Sequence, residues 1–129
     1  MSSSTVNGVQ VLKLGRKGTE LPIIDGLGTA RAVIWPGMGA TERCINYVEL
    51  ESGSSTVWLK HATEAVYYVM SGTGTVHGDD APDEWPLLEG SIVHIGDGSR
   101  YRFQAQEGGL TFFGGPCPTD PAMFEHLLN

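Results

Sequence analysis

Three of the four histidines lie within or directly after predicted strands, where an imidazole can do chemistry near neutral pH. His61 follows the run TVWLK, and His77 and His94 lie inside later apolar runs. The pKa of a free imidazole is about 6.5, so such a group serves as a general base or a metal ligand without a large shift. His61 is the first candidate for either role. Apolar residues flank both His77 and His94, so the sequence leaves open whether their side chains point inward or outward. We expect a structural role for each.

Glu64 follows His61 by three residues and is the nearest acidic candidate. Successive side chains of a strand point to opposite faces, so Glu64 and Ala65 cannot both face the interior. A regular strand with Ala65 inward turns Glu64 toward solvent, whereas a β-bulge would reverse the two. Glu64 therefore stays a candidate catalytic residue whose orientation is open.

The cysteines and the net charge exclude several classes of function. Cys44 and Cys117 lie far apart without a C-x-x-C spacing, so we expect neither a disulfide framework nor a zinc knuckle. The chain has 15 Asp and Glu against 8 Lys and Arg, a net charge of -7, which repels phosphate backbones and anionic lipid. We expect no nucleic-acid or membrane partner. The absence of a leader-like or membrane-spanning apolar stretch predicts a cytoplasmic protein.

The elements that must position these groups are short strands. Residues 1–8 are small and polar and are predicted to be a flexible tail. A chain of 129 residues has room for one core, so 9–129 is predicted to be a single domain. Runs rich in Val, Ile, Tyr, Trp and Thr alternate with Gly and Pro turns, which is typical of a sandwich or barrel. Asp120 and Pro121 predict the start of a short C-terminal helix. The predicted strands are 9–14, 30–35, 44–51, 55–60, 65–71, 74–78, 85–88, 91–95, 100–105 and 109–114.

The middle of the chain resembles the cupins, small jelly-roll barrels (double-stranded β-helices) with two sequence motifs. Gly53, His61 and Gly72 match the first motif, and AVYYVMSGTG looks like its closing strand and turn. Gly90 and Gly98 match the second motif. The resemblance implies an all-β cupin barrel with a short C-terminal helix, and a mouth wide enough for one small ligand.

Cupin motifs carry four metal-ligand positions, and the resemblance maps them onto Leu59, His61, Ala65 and Tyr101. One of the four keeps the ligand type of the family, and it is His61. The motif register points Ala65 inward, and it directs His61 and Tyr101 at one cavity, which implies that these two are neighbours. A phenol in the last position can donate a hydrogen bond, act as an acid or bind iron; with a free pKa of about 10 it is a donor at neutral pH.

A narrower likeness is to the ectoine synthases, which are cupin cyclases. It rests on the tetrapeptide EAVY that begins at Glu64 and on the spacing of the later Trp-Pro pair and glycine. The Glu of this tetrapeptide binds iron in that family. Here the Tyr and His ligands of the family fall on Val93 and Tyr101, so the activity is not carried over.

Three functions remain open. The first is a small cupin enzyme of the lyase, isomerase, dehydratase or cyclase type that acts on a polar small organic molecule through acid and base chemistry by His61, Tyr101 and Glu64. The second is a metal-dependent cupin such as a dioxygenase, with divalent iron, manganese or zinc on His61 and Tyr101, and His77 and His94 as possible further ligands. The third is a cupin that binds a small molecule without catalysis.

The short strands also predict the oligomeric state. Barrels of this kind leave strand edges that present unpaired backbone groups. The N-terminal run VQVLKL can cover such an edge on a second subunit. We therefore expect a homodimer.

Overall fold

A computed structural model describes residues 8–13, 19–78 and 84–127, with side chains to residue 125. Nearly all regular structure in these ranges is β-strand. The strands are β1 (Thr19–Glu20), β2 (Ile24–Asp25), β3 (Gly28–Ile34), β4 (Ile45–Leu50), β5 (Ser55–Thr56), β6 (Ala65–Gly78), β7 (Glu84–Leu87), β8 (Ile92–Ile95) and β9 (Tyr101–Pro116). Two 3₁₀ helices cover Pro36–Met38 and Pro121–Leu127.

The two long strands, β6 and β9, form the spine of the fold. They pair antiparallel along their whole length, from Ala65 opposite Pro116 to Gly78 opposite Tyr101. The first half of β6 also pairs with β8 and its second half with β7. The far edge of β9 pairs with β4, which continues to β3 and β1, and with β5, which continues to β2. The result is one curled sheet whose two ends share β6 and β9.

Glycines let both long strands bend at the same level. Gly72 in β6 has a φ of 90°, and a Cβ there would lie 2.1 Å from the carbonyl oxygen of Gly109 in β9. Gly109 has a φ of 86°. Only glycine adopts such backbone angles and such a close approach without strain. The paired bends fold the sheet over on itself.

The core lies between the two halves of the folded sheet. Phe103, from the first half of β9, stacks on Phe112, from its second half, with ring centroids 4.2 Å apart. Ala65, Tyr67 and Val69 alternate inward from β6 and are buried. This regular alternation confirms the register with Ala65 inward, since no bulge shifts it in this part of β6.

The predicted strands and the C-terminal helix are mostly present, but several of their predicted boundaries are wrong. The predicted strands 65–71 and 74–78 are one strand, as are 100–105 and 109–114, because glycine bends let the backbone continue. Residues 9–13 form no strand, and the homodimer built on them stays a prediction; residues 1–7 of the predicted tail lie outside the described ranges. The C-terminal helix is present as a 3₁₀ helix. No helix within the described ranges is long and apolar enough to cross a bilayer.

Candidate functional site

His61 lies buried at the centre of a chain of hydrogen bonds. Its Nε2 atom is 2.7 Å from the Tyr101 hydroxyl, and its Nδ1 atom is 3.1 Å from Oδ2 of Asp120. The backbone holds this arrangement, because Leu59 and Tyr101 exchange both of their amide hydrogen bonds at 2.7 and 2.8 Å. The His61 carbonyl also accepts a hydrogen bond from the Gly98 amide. His61 and Tyr101 are therefore direct neighbours.

Asp120 belongs to this cluster through the start of the C-terminal 3₁₀ helix. Its Oδ1 atom accepts a hydrogen bond from the Ala122 amide at 3.1 Å, which is the helix-capping contact that the sequence predicts. The other carboxylate oxygen is left for His61. Sequence reasoning named Asp120 only as a cap and missed its contact with His61. An Asp followed by Pro signals a cap and carries no information about a partner far away in the chain.

The carboxylate determines the direction of every proton in the chain. Asp120 accepts only, so His61 donates through Nδ1–H, and its Nε2 atom keeps a lone pair. That lone pair accepts the hydroxyl proton of Tyr101. The Tyr67 hydroxyl lies 2.5 Å from the Tyr101 oxygen and donates to it, since the Tyr101 proton is already directed at His61. The chain thus runs from Tyr67 through Tyr101 and His61 to Asp120.

Burial sets the protonation of the members. It raises the pKa of Tyr101 well above the usual value. Burial likewise raises the pKa of Tyr67. The pKa of His61 is lowered by burial, against the opposing effect of its hydrogen bond and attraction to Asp120. At neutral pH the cluster therefore holds two neutral phenols and a neutral imidazole.

A cavity of about 450 Å³ lies between β6, β7 and β8, and Tyr101 borders it. Strand pairing turns several apolar side chains inward around it. The side of the cavity nearest solvent carries Trp85, which is 51% exposed. His61 does not border the cavity, so the expectation that both residues line it holds for Tyr101 alone. The lining residues are Val76, His77, Gly78, Trp85, Pro86, Leu87, Ser91, Ile92, Val93, His94, Ile95 and Tyr101.

Glu64, His94 and His77 lie outside this cluster. The Glu64 carboxylate pairs with Nε2 of His94 at 2.5 Å, and both side chains are about 60% exposed. His77 contacts the Thr75 hydroxyl at 3.0 Å and lies opposite Glu84 in the β6 and β7 pairing. The structure places Glu64 on the exposed side, immediately before β6 and away from His61, so its catalytic role stays a prediction.

Solved structures that match this architecture include several cupins. The polyketide cyclase RemF from Streptomyces resistomycificus matches with a TM-score of 0.70 at 19% identity, over 87% of this chain and 82% of its own. A predicted oxalate decarboxylase from Thermotoga maritima matches with a TM-score of 0.69 at 18% identity, over 84% of this chain and 99% of its own. A Cupin 2 conserved barrel domain protein from Salinispora arenicola matches with a TM-score of 0.65 at 20% identity, over 95% of this chain and 98% of its own.

The protein has the cupin fold. The level of identity supports the fold and no particular reaction. No protein-family model and no curated protein sequence matches the chain.

The described side chains around His61 do not fit a resident divalent metal ion. Both ring nitrogens of His61 are engaged, one by Asp120 and one by Tyr101. Within the part of the chain that the structure describes, no three His, Cys, Asp or Glu side chains are grouped to hold a metal ion. His77 and His94, the possible further ligands, bond to groups outside this cluster. Iron, manganese and zinc need more converging ligands than this cluster offers.

Proposed function

We propose that this cupin is a small acid–base enzyme in which Tyr101 takes a proton from an organic molecule bound in the cavity. The observation that carries the proposal is the unbroken chain of hydrogen bonds from Asp120 through His61 to Tyr101. Tyr101 is the member of that chain that borders the cavity. A neutral tyrosine that acts as a base must pass its own hydroxyl proton to an acceptor, and in this proposal His61 is the acceptor.

The proton moves in two linked steps. Tyr101 receives the ligand proton on its oxygen and passes its own hydroxyl proton to Nε2 of His61. The imidazolium that forms lies 3.1 Å from the Asp120 carboxylate, which stabilises the new positive charge. The arrangement resembles a Ser-His-Asp catalytic triad in which a tyrosine hydroxyl replaces the serine hydroxyl. Atoms balance, since the ligand loses one proton and His61 gains one.

The high pKa of Tyr101 makes this relay necessary. Burial opposes formation of a free phenolate, so Tyr101 alone would be a poor base at neutral pH. Neutral His61, whose pKa burial lowers, is ready to accept a proton. Transfer through Tyr101 therefore uses the basicity of the imidazole at a site that the imidazole does not itself border.

The cavity changes the polarity that we expect of the ligand. Its wall is formed mainly by apolar side chains such as Val76, Leu87 and Val93, and a wholly polar molecule would lose its hydration there without replacement. An apolar body with one polar group aimed at Tyr101 suits the cavity better. Among the proteins of similar fold, a polyketide cyclase is the one whose named activity agrees best with this ligand.

A reaction that requires only a base tests the proposal without knowledge of the natural substrate. The ring opening of nitrobenzisoxazole begins with removal of a carbon-bound proton and releases a coloured phenolate. We expect the protein to accelerate it, and Tyr101→Phe to lower the rate by about 10²-fold, in the usual range for general acid–base catalysis. Tyr68→Phe is the matched control, because Tyr68 lies on the outer face.

The same assay separates the proposal from a purely binding function. If Tyr101→Phe and Tyr68→Phe turn over the probe at equal rates, base catalysis by Tyr101 is contradicted. Saturable binding of a small molecule that the protein does not convert would then favour the non-catalytic binding function.

A further inference from the structure

We infer that the cavity takes an uncharged aromatic molecule with one acidic hydroxyl group, of the phenol or naphthol class, and that it discriminates against carboxylates. The inference rests on the proposed role of Tyr101 and names the ligand class for that same site. Three observations carry it: the charges around the cavity, the chemistry of its wall, and the direction of the Tyr101 hydrogen bonds.

No lysine or arginine borders the cavity among the residues that the structure describes. Arg100 and Arg102 lie near Tyr101 in sequence, yet their guanidinium groups lie over the Trp58 ring, 4.9 and 5.6 Å from its centroid. Arg102 also bonds Ser55 at 2.7 Å. A carboxylate in the cavity would lose its hydration without gaining an opposite charge, which is strongly unfavourable.

The two histidines that border the cavity do not change this conclusion. The His94 imidazole is paired with the Glu64 carboxylate. The His77 imidazole bonds Thr75 and lies 3.8 Å from the Glu84 carboxylate. Each faces a negative group of its own, so neither offers free positive charge to an anionic ligand.

The wall favours an apolar ligand body. Val76, Leu87, Val93 and Ile95 surround a space of about 450 Å³, a size typical of small-molecule sites. Trp85 also borders this space and is 51% exposed, so a ligand ring can pack against its indole. Apolar burial against these side chains supplies the affinity that a charged ligand would need from an ion pair.

Tyr101 specifies the polar group of the ligand. Its own proton is directed at His61, and Tyr67 donates to its oxygen. The remaining lone pair of that oxygen can accept a hydrogen bond, so the matching ligand group is a donor. A phenolic hydroxyl is a donor whose proton can then pass to Tyr101.

Calorimetric titration with naphthol and naphthoate at neutral pH tests the inference. The two probes share a ring system and differ in charge. We expect naphthol to bind at least about tenfold more tightly than naphthoate. Equal or tighter binding of naphthoate would overturn the inference, and so would failure of naphthol to bind at its solubility limit.

A pair of charge-adding variants sharpens the result. Trp85 borders the cavity and Leu88 does not, while both are more than half exposed, so lysine at either position is tolerated by the fold. We expect Trp85→Lys to raise naphthoate affinity by about tenfold and Leu88→Lys to leave it unchanged. If the two variants respond equally, the added charge acts from a distance and the cavity is not where the probe binds.

Tyr101→Phe distinguishes failure of this inference from failure of the proposed function. If naphthol remains preferred over naphthoate but Tyr101→Phe does not weaken it, the ligand class stands and the Tyr101 contact is refuted. If naphthoate binds as well as naphthol while Tyr101→Phe still abolishes base catalysis, the proposed function stands and the ligand class is refuted.

Discussion

Two of the histidine–carboxylate pairs in the described part of the chain are alike in chemistry and opposite in setting. His61 and Asp120 are buried, with 4% and 12% of their side chains exposed, and lie 3.1 Å apart. His94 and Glu64 pair on the surface, about 60% exposed. Water screens the surface pair, so it is worth little to stability or chemistry. In the buried pair the same two groups fix a tautomer, orient a proton and hold a charge that the solvent does not reach.

What differs is the third partner. Tyr101 links the buried pair to the cavity through a hydrogen bond, whereas His94 of the surface pair borders the cavity directly but is about 60% exposed to water. A histidine beside a carboxylate is thus no evidence of function by itself. Its burial and its hydrogen bond to Tyr101 are the observations that support the function proposed for the His61 pair.

The largest effect is expected from neutralising the two carboxylates. Asp120→Asn keeps an oxygen for the Ala122 amide but presents an amide to His61, which favours the tautomer that donates through Nε2. Tyr101 then has no acceptor for its proton, and the rate of nitrobenzisoxazole opening falls by about 10²-fold or more. Glu64→Gln leaves the rate unchanged. Similar rates for both variants would remove the distinction between the pairs.

Stability is expected to separate the two histidines next. His61→Ala leaves Asp120 and the Tyr101 hydroxyl buried without their partner, and we expect it to lower the free energy of unfolding by about 1 to 3 kcal/mol. His94→Ala removes an exposed group and changes it by less than about 0.5 kcal/mol. Urea denaturation of both variants measures the difference, and equal losses would mean that the buried pair contributes no more than the surface pair.

A smaller effect distinguishes the two faces of β6. Tyr67→Phe removes the hydroxyl that donates to Tyr101, and we expect a loss of about 1 kcal/mol in unfolding free energy. Tyr68→Phe, one residue on and on the outer face, removes a hydroxyl that is more exposed, with little effect. A loss for Tyr68→Phe as large as for Tyr67→Phe would contradict the inward chain of hydrogen bonds.

The smallest expected effect is a pH dependence of stability. Because burial lowers the folded-state pKa of His61, the unfolded chain binds a proton first as the pH falls below about 6.5. Folding therefore loses free energy from that pH downward, through the folded-state pKa of His61. We expect His61→Gln to show a shallower loss between pH 7 and 5 in denaturant titrations. Identical slopes for wild type and variant would show that His61 does not titrate in this way.

Much of the fold was accessible from the amino-acid sequence. The strand-forming runs, the glycine turns and the inward register of Ala65 are present in the structure. The boundaries of β6 and β9 were not accessible, because Gly72 and Gly109 read as turn residues and in fact bend a continuous strand. The loss of regular pairing at 9–13 also escaped prediction, since VQVLKL has the composition of a strand whatever its partners.

The candidate site was predictable in part. Sequence comparison brings His61 and Tyr101 together, and the structure has them 2.7 Å apart. It does not separate the residue that borders the cavity from the one behind it. Glu64 was named because it lies close to His61 in sequence, although strand alternation turns it to the opposite face.

By itself, the sequence determined the properties that depend on neighbours along the chain: strand content, turns, the cap at Asp120 and the acidic net charge. Only the tertiary structure decided that Asp120, 59 positions from His61, completes the buried chain of hydrogen bonds. The reason is physical. A cap or a strand is stabilised by residues a few positions away, whereas a buried charge needs a partner that only the packing of the C-terminal helix against the barrel brings within reach.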